Sequence, residues 1–250
     1  MWNRATLLSV LLVLVPAFTL LAMQKRGLWT AWTEQEAAKI LNDSGWSQTL
    51  TEIEPTVLRL VKNDVRMNLR VRFLSAKPIR QALFRFSELN PEKILPTTIE
   101  DARRLLDSEF DQSIVVAVTY DGGSGCLITP VAYALRSGNS DSMKKSAYLE
   151  VDGGKRVYAQ SFQPLGVQLF GARFTFPRDL AGRPIIDPEA NTITFYAQFP
   201  TVDLSVSRVC LQYSQYKSGE DRTLLERLHN LTINMRFKVA KFMYEGVLEY

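Results

Sequence analysis

The chain has 250 residues, a formal net charge of +4, 46% hydrophobic residues and 22% charged residues. These values exclude a disordered or collagen-like polymer and suffice for one good core, with or without a small helical subdomain. A single histidine excludes multi-histidine metal sites, and two widely separated cysteines argue against a structural zinc site.

The first element is an export segment. Arg4 supplies a short positive region, and Ala5 to Ala22 is apolar apart from Thr6, Ser9, Pro16 and Thr19. At about 18 residues it lies between the core of a signal peptide and a short membrane span. Ala22 suits the last position before a cleavage site, Leu20 does not suit the position two before it, and Met23 excludes a lipidated cysteine. Lys25 and Arg26 weaken the charge asymmetry that orients such segments. The expectation is a signal peptide or membrane anchor over 1–22, with an exported product that is periplasmic, secreted or anchored by residues 5–22. One α+β domain would follow over 23–250, helical over about 33–110 and β-rich over about 111–250.

Thr33 and Glu36 have capping-box spacing, with Trp32 and Ala37 at the staple positions. They predict a helix over 34–42 with Ala37, Ile40 and Leu41 inward. Ser44-Gly45 ends it, and Trp46 folds back on that face. Val65 to Phe73 alternates strictly: Val65, Met67, Leu69, Val71 and Phe73 on one face, Arg66, Asn68, Arg70 and Arg72 on the other. Pro78 opens a helix carrying Ile79, Ala82, Leu83 and Phe86. A further helix from Thr98 to Glu109 buries Ala102, Leu105 and Leu106.

From Ser113 the pattern turns to strands. Ile114 to Val118 is a continuous apolar run, and Tyr148–Val151 with Val157–Phe162 flank the turn signal Gly153-Gly154. Alternation recurs from Ile193 to Phe199 and from Leu231 to Phe237. The change of phase from Leu204 and Val206 to Val209 and Leu211 suggests a bulge. The expected fold is α+β: an N-terminal export helix, two or three short helices, then a predominantly antiparallel β-sandwich.

Four segments carry a resemblance. They are Trp32 to Trp46, Ser75-Ala76-Lys77-Pro78-Ile79, Phe174 to Arg178, and the stretch from Phe237 to Leu248. Together they resemble an uncharacterised group of exported proteins common in acidobacterial genomes, which have Ser-Pro-Trp where this chain has Ser44-Gly45-Trp46. The resemblance implies a bacterial, exported protein and carries no activity, cofactor or catalytic residue.

The chemistry is mostly negative. An even cysteine count in an exported chain suggests a Cys126–Cys210 disulfide, worth about 4–5 kcal/mol by chain entropy; two buried thiols are the alternative. His229 ends a short helical pattern, where an imidazolium is favoured by the helix dipole. Asp121-Gly-Gly-Ser124-Gly-Cys126 is neither a nucleophile elbow nor a phosphate loop, and reads as a hairpin turn. Asp107, Glu109 and Asp111 open like a calcium loop, but Gln112 and Val118 stand where its glycine and closing glutamate belong.

One positive signal stands out. Between Arg59 and Arg85 eight basic residues face Asp64 alone, a local +7, and Arg66, Arg70 and Arg72 share one strand face. Such a face attracts a membrane surface or an anionic envelope polymer. The stretch from Glu88 to Asp111, with seven acidic residues against three basic, is an internal alternative partner for it. The functional expectation is an exported, envelope-associated binding or interaction protein, without cofactor or metal. An extracytoplasmic hydrolase using carboxylates, or a serine or cysteine nucleophile, is the alternative.

Overall fold

The computed structural model describes residues 28–53, 66–91, 98–122, 131–136, 138–165, 171–199 and 231–250. The export segment, the cysteines at 126 and 210, His229 and the bulge expected near 204–211 lie outside the described residues. Among the described residues no helix is long and apolar enough to cross a membrane.

The fold is α+β with antiparallel sheets. Helix α1 (Glu34–Asn42) has both halves of the predicted capping box: Glu36 N donates to Thr33 Oγ1 at 3.2 Å, and Thr33 N to Glu36 Oε2 at 2.8 Å. Ala37 and Leu41 are buried, as its periodicity requires. The Ser44 hydroxyl donates to Ile40 O at 2.8 Å at the helix end. Strand β1 (Ser47–Ile53) follows, and no apolar alternation announces it: Ser47, Thr49 and Thr51 line one face, Gln48 and Leu50 the other. Its backbone is recruited by pairing with β2 (Arg66–Phe73), whose Met67, Leu69, Val71 and Phe73 are buried.

Helix α2 (Lys77–Leu89) starts with Pro78 in its first turn and buries Ile79 and Ala82. Helix α3 (Ile99–Leu106) starts at Thr98, whose hydroxyl accepts from Asp101 N at 3.1 Å. It ends three residues before the expected Glu109. The Arg80 guanidinium donates to Leu106 O at 3.0 Å and Ser108 O at 2.6 Å, satisfying carbonyls that further turns would otherwise use.

The first sheet has the order β1-β2-β3-β7-β6, with β3 (Ser113–Gly122), β6 (Ser161–Pro164) and β7 (Gly171–Pro177). The second has the order β11-β10-β4-β5, with β4 (Ala147–Val151), β5 (Lys155–Tyr158), β10 (Thr192–Gln198) and β11 (Thr232–Lys238). Helix α4 (Ser140–Ser146) leads into β4. The segment expected as one strand over 157–162 is two. β5 pairs with β4, β6 pairs with β7, and the chain changes sheet at Ala159-Gln160. The buried positions Val157, Ala159 and Phe162 break phase there, because the strand turns a corner.

Buried faces of the two sheets meet through phenylalanines. Phe73 on β2 lies 5.1 Å from Phe237 on β11, and Phe174 on β7 lies 5.2 Å from Phe195 on β10, each pair edge to face. This arrangement is compatible with a β-sandwich.

Three tight turns share one geometry. Asp152, Ala181 and Glu245 take φ values of 48°, 53° and 51°, each followed by a glycine at positive φ. The expected Gly153-Gly154 turn is therefore centred one residue earlier, on Asp152-Gly153. The Asp152 carboxylate fixes it by accepting from Asn191 N at 3.0 Å and Thr192 N at 2.8 Å. The turn at 181–182 joins β8 (Asp179–Leu180) to β9 (Arg183–Pro184), and that at 245–246 joins β12 (Met243–Tyr244) to β13 (Val247–Leu248).

The N- and C-terminal landmark segments of the sequence pack on one another. The Trp46 indole N–H donates to Glu249 O at 2.7 Å, its ring meets Tyr244 edge to face, and Lys77 N donates to Glu249 Oε2 at 3.2 Å. A Cβ at Gly45 would stand 2.1 Å from Lys241 O, so this approach requires glycine.

Candidate anion-binding cleft

The outer face of the first sheet carries the polar half of β2. Strand register aligns Ser47, Arg72, Ala117, Arg173 and Gln163 in one row across all five strands. Arg72 and Arg173 stand two strands apart, about 10 Å between Cα atoms. The small Ala117 lies between them. Above this row α3 contributes Asp101, Arg104 and Leu105, and α2 contributes Leu83. The cleft between them has a volume of about 450 Å³. Leu74 joins Leu83 and Leu105 as apolar wall, while Pro164 and Leu165 close the β6 end.

Arg72 lies deepest. Its Nε donates to Leu41 O at 2.5 Å, Nη1 to Thr119 Oγ1 at 2.8 Å and Nη2 to Asn42 Oδ1 at 3.2 Å. Two of these acceptors belong to the last turn of α1, so the guanidinium also caps that helix. All three are neutral. Burial pushes the Arg72 pKa down to about 10, the neighbouring Arg70 adds to the shift, and Asp121 opposes it. Arg173 donates to Gln163 Oε1 at 2.8 Å, again a neutral partner. Among the described residues neither arginine has a carboxylate partner.

Arg104 forms an ion pair with Asp101 on its own helix. The Thr98 hydroxyl foremost, and then the Arg104 guanidinium, hold the Asp101 carboxyl below its ordinary pKa. Three guanidinium groups against one carboxylate leave the described lining at +2.

The basic run expected as an open patch is distributed through the body. Arg70 pairs with Asp121, which also accepts from Asn68 Nδ2 at 2.8 Å. Arg80 caps α3, Arg85 donates from Nε to Trp32 O at 2.9 Å, and Lys77 reaches Glu245 at 3.3 Å. Arg66 opens β2 opposite Ile53, and its side chain lies outside the described residues. The acidic stretch reaches this face through Asp101, which bonds within its own helix rather than to the β2 arginines.

Of the residues expected to bind an anion, the structure brings Arg72 to the cleft and gives Arg70 to Asp121. Arg104, Arg173 and Ala117 were not singled out from sequence. Arg173 was legible only as the polar member of the alternation around Phe174, and Ala117 only as the smallest residue of an apolar run. Among the described residues no group of three or more histidine, cysteine, aspartate or glutamate side chains could hold a metal ion. In comparisons with family models, with curated proteins and with solved structures, nothing matches the chain.

Proposed function

We propose that this is an exported, envelope-associated binding protein, a member of the acidobacterial-type group its landmark segments resemble, that receives an anionic partner at the cleft over the basic face of β2. Its body is a β-sandwich, and residues 5–22 deliver it across the membrane or hold it there. The observation that carries the binding reading is the row Arg72–Ala117–Arg173, roofed by Arg104, in which two guanidinium groups are bonded to neutral acceptors alone. Arg72 is buried with no carboxylate bonded to it, Asp121 acting on it only through space, and an anion entering the cleft offsets the cost of that burial.

The apolar leader supports export. The single described carboxylate of the cleft is engaged by Thr98 and Arg104, so no observation favours the hydrolase alternative.

The test pairs cell fractionation with vesicle binding. The chain is expected outside the cytoplasm, and the full chain is expected to be retained more on anionic than on zwitterionic vesicles. That excess should fall steeply with salt and disappear in the double variant Arg104→Glu, Arg173→Glu. Equal retention on both vesicle types at low salt, or a cytoplasmic location, overturns the reading.

A further inference from the structure

Within that reading the cleft can be assigned a ligand class. We infer that the notch above Ala117 is the head-group site for a single-chain amphiphile bearing one oxyanionic head, a carboxylate or a phosphate monoester. The head lies between Arg72 and Arg173, and the alkyl body lies along Leu74, Leu83 and Leu105.

The argument starts from donors. A guanidinium carries five N–H groups in a fixed plane. Arg72 uses three on Leu41, Thr119 and Asn42, and Arg173 uses one on Gln163, leaving two and four without partners among the described residues. Both side chains rise from one cross-strand row, and Ala117 leaves the space between them open. An oxyanion there accepts charge-assisted bonds from both sides, the strong class of hydrogen bond. It would also raise the lowered Arg72 pKa toward its ordinary value.

The apolar residues decide the rest of the ligand. A site for a bare inorganic anion, or for a sugar phosphate, would surround the charge with further polar groups. Here Leu74, Leu83, Leu105, Pro164 and Leu165 make most of the wall away from the row, beside the Asp101–Arg104 ion pair and Ser108, and a volume of about 450 Å³ falls within the range of small-molecule sites, about 300–1,000 Å³. The helices α2 and α3 wall one side of the cleft, whose volume suits a small amphiphile better than a long polymer.

The test is equilibrium dialysis of radiolabelled decanoate, and separately of decyl phosphate, against the full chain. One saturable equivalent is expected for at least one probe, with no displacement by excess acetate or decyltrimethylammonium. Arg173→Gln should weaken binding at least tenfold. Ala117→Leu, which fills the notch and keeps every charge, should do the same. Arg173→Gln decides the matter if the leucine variant does not fold by circular dichroism. Equal displacement by acetate or by the cationic surfactant overturns the inference, as does unchanged binding in Arg173→Gln. Salt-sensitive retention on anionic vesicles without saturable binding of either probe overturns the ligand class while leaving the broader reading standing; loss of both removes both.

Discussion

At the scale of single residues, the polar side chains that matter are those answering a backbone need. Asp152 holds a turn at positive φ by accepting from two amides of the opposite loop, and those backbone bonds, Thr192 first and then Asn191, keep its carboxyl below the ordinary value. A folded-state pKa below the unfolded one gives stability that is present above the unfolded value near 3.8 and lost as pH falls through the folded value. Asp152→Ala should therefore lower the Tm at pH 7, with the gap to the parent narrowing as the pH approaches 2 to the pH-independent cost of alanine at positive φ; thermal melts across that range check it. The basic cluster follows the same rule. Arg72, Arg80 and Arg85 all donate to main-chain carbonyls, and composition records a charge without saying which carbonyl will claim it. Their number was legible in the sequence, but their destinations are carbonyls of other segments, the end of α1 for Arg72, the end of α3 for Arg80 and Trp32 for Arg85, that come within reach only after folding.

Among the elements, those with a strong local signature were read with their boundaries. Helix α1 runs over the expected 34–42 because capping box, periodicity and stop signal agree. Replacing Thr33 by alanine removes the acceptor for Glu36 N and should cost about 1 kcal/mol, read as a lower denaturant midpoint at constant slope. Strand β1 shows the opposite case. Leu50, its only apolar residue before the terminal Ile53, is exposed, so β1 exists through its ladder with β2 and no periodicity marks it. The β5–β6 corner was missed for a third reason. A phase slip of one residue separates Ala159 from Phe162, and in a run of apolar and aromatic residues it is easily absorbed into one strand. The cleft inherits this opacity, since Arg173 and Gln163 meet only because β6 leaves one sheet and joins the other.

For the whole molecule, stability centres on the aromatic cluster joining the two sheets. Phe174 has no exposed surface and meets Phe162, Phe195 and Phe199 edge-on. Phe174→Ala should destabilise by about 3–5 kcal/mol through lost burial and the cavity left behind. Equilibrium unfolding in urea measures that loss, which is a large fraction of the total for a domain of this kind. The same cluster sets the strands whose opposite face forms the cleft floor. Along β7 the inner-face Phe174 and Phe176 alternate with Arg173 and Thr175, so the packing that makes the core also aims Arg173 outward.

The clasp of Trp46 by Glu249 has a practical corollary. An indole whose N–H is tied to Glu249 O, beneath an edge-on tyrosine, is an optical sensor of the seam between the segments around Trp46 and Tyr244–Glu249. With Trp2, Trp29 and Trp32 replaced by phenylalanine, its emission follows the undocking of that seam separately from the far-ultraviolet signal of the sheets, so the order in which the molecule comes apart can be recorded from a fluorophore it already carries.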